Sequence, residues 1–114
     1  LIQYSVMLML KYVQEGKLSI EKMVEKMSHA VAICFQIKDR GFIREGYWAD
    51  LVLVKESPQI LTKESILYKC GWSPLEGTSF PYQISSTFVN GVLVYHHGQF
   101  DESQKGHRLQ FNRG

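Results

Sequence analysis

The sequence predicts an α+β domain, on three observations. Its first 40 residues carry helical periodicity, its remainder carries short β-prone runs, and an Asn-Gly pair stands between two of those runs. With 114 residues and 13.2 kDa, a chain of this mass folds to roughly 6,400 Å² of accessible surface from about 19,000 Å² unfolded. That is enough burial for one modest core. A composition of 45% hydrophobic and 21% charged residues excludes a disordered chain. A net charge of +2 gives no basic footprint for nucleic acid. Cys34 and Cys70 are too few and too far apart for a disulfide framework or a zinc ribbon, so a reduced, cytoplasmic chain is expected.

The elements follow in order. Residues 1 to 15 read as a helix stopped by Gly16. Its apolar side chains, from Leu1 to Val13, surround almost the whole cylinder, which asks for burial on several sides. The apolar run is too short to span a membrane and lacks a charged leader or cleavage site. With no initiator methionine, the reading is an interior helix of a longer chain. Ser19 caps a second helix, with Glu21 at the positive end of its dipole. Ile20, Met23, Val24, Met27, Val31 and Cys34 recur at steps of three and four, predicting an apolar stripe directed into a core.

About five short strands are expected after that. Leu51–Val54 is an apolar run, Ile66–Tyr68 a shorter one, and Gln83–Val89 leads into Asn90-Gly91. Val92–Tyr95 leaves that turn, a second turn falls at His97-Gly98, and Phe100 precedes a polar tail. Asn-Gly suits a type I′ hairpin because both central residues need positive φ.

The chemistry-bearing residues do not converge. His96 and His97 are neighbours, so on a strand they point to opposite faces, while His29 sits alone on a helix and His107 in the tail. Cys34 falls on the apolar stripe and is expected in the core, whereas Cys70 falls in a loop with no neighbour to activate it. Asp50 directly precedes an apolar run, where a carboxylate commonly accepts backbone N–H bonds and closes a turn. No phosphate-binding glycine pattern occurs. The expectation is that no catalytic, metal or cofactor-binding residue lies in this chain.

Three stretches nevertheless share a pattern with one family. Gly41-Phe42-Ile43-Arg44-Glu45-Gly46-Tyr47-Trp48-Ala49-Asp50-Leu51-Val52 resembles the Gly-x-Ile-x-x-Gly-x-x-Ala-Asp-Leu-Val signature of the amidohydrolase superfamily. Tyr68-Lys69-Cys70-Gly71-Trp72-Ser73-Pro74-Leu75-Glu76-Gly77 is similar to a Cys-Gly-Trp-Ser-Pro-Phe-Glu-Gly stretch of dihydroorotases. Thr87 to Tyr95 resembles the last hairpin of the same enzymes. The sequence departs from many relatives at His29–Phe35, where an Asn-Pro-Ala is missing and a valine lets the helix continue.

The resemblance implies the carboxy-terminal part of a hydrolase that interconverts N-carbamoyl-L-aspartate and L-dihydroorotate in pyrimidine synthesis. Residues 1–40 would hold the last helix of a (β/α)₈ barrel and a connecting helix, and residues 41–114 a portion of a small β-sandwich. The barrel, with its pair of zinc ions, would be the rest of the parent chain and this chain's partner. An allantoinase or dihydropyrimidinase would share that sandwich, and so would a relative that has lost its metals and serves as a scaffold. An unpaired strand edge and an unused face of the first helix imply self-association through Met7, Leu8 and their neighbours. Neither nucleic acid nor membrane is expected as a partner.

Overall fold

A computed structural model describes residues 2–113. A short 3₁₀ turn, Ile2–Tyr4, opens into α1, Ser5–Gln14. The helix stops where the sequence places its stop. Lys17 N–H donates to the Tyr12 carbonyl and Gly16 N–H to that of Val13, the paired bonds that close a helix end. Ser19 then accepts the Lys22 N–H at 3.1 Å and starts α2, Ile20–Val24.

The second helix is not continuous in type. A π turn, Glu25–His29, separates α2 from α3, Ala30–Cys34. One extra residue in a turn rotates everything downstream by about 100° around the cylinder. That rotation buries Ala32 and leaves Cys34 exposed, so the expectation of Cys34 in the core is overturned. Ala32 in turn packs against Gly41, where an added Cβ would collide with its side chain.

Four antiparallel strands form one sheet in the order β1-β2-β3-β4, which makes the domain an α+β mix. They are β1, Leu51–Ile60; β2, Ser79–Val89; β3, Val92–His96; and β4, Gln99–Phe100. The portion of a sandwich in this chain is thus a single layer. Asn90 and Gly91 have φ of 53° and 78°, the left-handed pair of a type I′ turn, and Val89 faces Val92 across it. A register shift between Thr87 and Phe88 then sets Tyr95 opposite Thr87.

Ile66–Tyr68 is not a strand. A 3₁₀ turn, Lys63–Ser65, precedes it, and its backbone is held by the turn before α1: Gln3 Oε1 accepts the Leu67 N–H at 2.9 Å. Its apolar residues serve the core instead. Fully buried Phe80 on β2 meets Tyr4, Met7 and Leu61, and Leu8, Ile66, Tyr68, Leu75 and Ile84 pack around them. Met7 and Leu8 are therefore spent inside the chain, which corrects the expectation of a free face there. The polar tail also returns to the body. Lys38 N–H donates to Gln110 O and Asn112 N–H to Gln36 O, both at 2.8 Å.

The accessible surface is 8295 Å², some 1,900 Å² above that of a compact monomer of this mass, roughly 6,400 Å². The radius of gyration of 15.4 Å agrees, since about 13 Å is usual for this length.

Candidate functional site: a hairpin clamp beside an apolar groove

A groove of about 820 Å³ runs between the two helical segments and β1. Leu10 from α1, Met23 and Val24 from α2, Val31 from α3, and Leu51 and Val54 from β1 all line it. The helical stripe read from the sequence does point inward here, but nothing covers it, so Ile20, Val24 and Val31 stay substantially exposed. β1 is also an edge strand, with unpaired backbone groups along its outer side.

At one end of the groove stands a polar clamp. Arg40, with its side chain only 10% exposed, donates from Nη1 to Asp50 Oδ2, and its guanidinium lies 5.1 Å from the Trp48 ring. The other carboxylate oxygen of Asp50 accepts the Asn90 N–H at 2.8 Å, and Ala49 O accepts the Gly91 N–H at 2.9 Å. Asp50 thus accepts a backbone N–H at a turn, as expected, although the turn lies forty residues away and not beside it. One carboxylate ties the loop after α3, the start of β1 and the tip of the β2–β3 hairpin. The partnership with Arg40 had no local signal, because nine intervening residues fold back to make it.

His29 and His107 are engaged separately. His97, however, has a φ of 46° and lies in the turn after β3, so its ring meets that of His96 at 4.0 Å and the expectation that the two face opposite ways is overturned. His29 stacks on Phe42 at 4.2 Å between ring centres, and Arg44 covers the same ring. His96 Nδ1 is 2.7 Å from the buried Ser86 Oγ and touches His97, and His107 meets Trp48 edge-on. Among the described residues no three of His, Cys, Asp and Glu come together in a way that could hold a metal ion. These residues therefore do not fit the zinc pair that the family resemblance implies.

The Glu15 carboxylate, by hydrogen bond and charge, raises Lys17 above its ordinary value, and hydrogen bonds from Ser103 lower Asp101. Both groups lie on the surface. A second cavity, of about 830 Å³, lies between the start of α1 and β3, but its carboxylates Glu64, Asp101 and Glu102 are all exposed. No described helix is long and apolar enough to cross a membrane. The arrangement can tie strands and accept an apolar cover.

An α+β segment with a core under α1 and an apolar groove beside β1 is the class the fold defines, and sequence comparison gives its family. Residues 2–94 match the Amidohydrolase family, and the chain belongs to it. It is 30% identical over 84% of its length to an allantoinase of Bacillus velezensis, covering 21% of that protein. It is 31% identical over 95% of its length to a dihydroorotase of Pyrococcus abyssi, covering 27% of it. To a dihydroorotase of Pyrococcus horikoshii it is 30% identical over 95%, covering 26%. The chain therefore spans about a fifth to a quarter of the length of the curated relatives it matches.

Proposed function

We propose that the chain is the carboxy-terminal structural part of a cytoplasmic hydrolase of the dihydroorotase type, one that interconverts N-carbamoyl-L-aspartate and L-dihydroorotate. The observation that carries this reading is the segment Tyr68 to Gly77. It resembles a dihydroorotase stretch and folds as a compact chain of turns, with Gly71 N–H bonded to Tyr68 O and Glu76 N–H to Ser73 O. In this reading residues 1–40 are the last barrel helix and its connector, and residues 41–114 the sandwich portion. The open groove is covered by the rest of the parent protein. No chemical step is assigned to this chain, and the zinc belongs to the part outside it.

Separated from that cover, the chain self-associates through the same flank. β1 carries Lys55, Glu56 and Pro58, residues that oppose edge-to-edge pairing, so apolar contact at the groove drives the association. Light scattering of the isolated chain tests this, and a compact monomer at all concentrations would refute it.

The functional test is an assay of the parent protein and of this chain alone on dihydroorotate and on allantoin. Turnover of dihydroorotate by the parent, and none by the chain, is expected. Turnover of allantoin alone would reassign the substrate, and activity in the isolated chain would overturn the structural role.

A further inference from the structure

The tip of the β2–β3 hairpin is the chain's one Asn-Gly pair. In such a pair the backbone nitrogen of the glycine can attack the asparagine side-chain carbonyl carbon, and no Cβ on the glycine obstructs the approach. We infer that Asn90-Gly91 is a succinimide-forming modification site, which the fold holds shut through Asp50 and Ala49.

The chemistry balances with water as the only co-reactant. Gly91 N loses its proton and bonds to Asn90 Cγ, the Cγ–Nδ2 bond breaks, and Nδ2 leaves as ammonia with that proton. Water then opens the five-membered ring at either carbonyl, leaving aspartate or isoaspartate at position 90.

Three features of the folded tip oppose each stage. The Gly91 N–H that must be lost is bonded to Ala49 O at 2.9 Å. Asn90 N–H is bonded to Asp50 Oδ1 at 2.8 Å, and Asp50 is itself held by Arg40, so the backbone around the reacting carbon cannot turn freely. Both amide atoms of the Asn90 side chain are buried without a hydrogen-bond partner, so the water that must enter is excluded. Reaction needs atoms in a near-attack arrangement, and here that arrangement waits for the tip to leave Asp50 by local opening.

Reaction is also a one-way latch. An amide that sits buried and unpaired becomes a carboxylate beside Asp50. Burying an unpaired charge there costs far more than burying a neutral amide, so a modified tip does not re-close on β1.

The test follows the one-unit mass gain at Asn90 in the whole chain at mildly alkaline pH, with exposed Asn112 as internal reference. In the folded chain Asn90 should react at least about tenfold more slowly than in concentrated urea. Asp50→Ala should bring the folded rate within about threefold of the unfolded one, and Asp50→Asn, which keeps an acceptor for the Asn90 N–H but turns an amide donor toward Arg40, should fall between that and wild type. A folded rate within about twofold of the unfolded one, or an Asp50→Ala rate equal to wild type, overturns the proposal. Should circular dichroism show Asp50→Ala unfolded, wild type in rising urea decides. A rate that climbs before the global transition supports local opening at Asp50, and one that climbs only with global unfolding refutes it.

Discussion

The two flanks of the sheet solve the same problem differently. On one, α1 lies against β2, the rings of Tyr4 and Phe80 stack with centres 6.5 Å apart, and Phe80 is completely buried. On the other, α2, α3 and β1 present equally apolar residues to an open groove. Both carry apolar residues, and both border a cavity of about 820–830 Å³, but only the first buries an aromatic completely. The first flank has a lid in the loop after β1, where Leu61 N–H donates to Thr78 O and Gly77 N–H to Leu61 O, both at 2.9 Å. The second has none within this chain.

Truncation is the largest test of that contrast. Phe80→Ala should cost about 3–5 kcal/mol in urea unfolding, because the ring leaves a cavity the surroundings cannot fill. Val52→Ala, on the open side where Val52 is 46% exposed, should cost no more than about 0.5 kcal/mol. Equal costs would mean that the groove closes in solution.

Asp50→Ala should come next, at about 2 kcal/mol, since it strands the buried Arg40 guanidinium. The figure is set below the usual 3–5 kcal/mol for a fully buried pair because Asp50 is 38% exposed. In thermal melts the double variant Asp50→Ala/Arg40→Met should lose less than the sum of the two single losses, because removing both partners strands neither.

Gly91→Val should cost about 1–2 kcal/mol through strain at positive φ, read from the same melts. A smaller loss would place the hairpin outside the cooperative unit.

The least effect belongs to Asp101, away from both flanks. Its hydrogen bonds from Ser103 lower its pKa, so their contribution is present above the unfolded pKa and is lost as pH falls through the folded one. Ser103→Ala should return the Asp101 titration toward the ordinary carboxylate value by NMR, with stability at neutral pH barely changed.

The same contrast explains what could be read from the residues alone. Asn90-Gly91, the stop at Gly16 and the cap at Ser19 rest on local backbone chemistry, and all three appear where expected. Asp50 was legible as an acceptor but not as a partner of Arg40. Cys34 was misplaced because a π turn leaves no periodic mark of its own, and the stripe was continued through it. Ile66–Tyr68 was misread because apolar residues under a helix and apolar residues in a strand look alike over three positions. β1 runs on to Ile60 through Lys55, Glu56 and Pro58, residues that argue against a strand.

The tail that returns to the loop after α3 bears on how the molecule assembles in time. Phe111 bridges to Ile37 across more than seventy residues, and that contact gains nothing until the sheet and helices between them are in place. Closing so long a loop is among the slowest and latest of folding events. Shortening the chain before Leu109 should therefore leave the refolding rate nearly unchanged and quicken unfolding, because the clasp is absent when the barrier is crossed and present when the native state must be left.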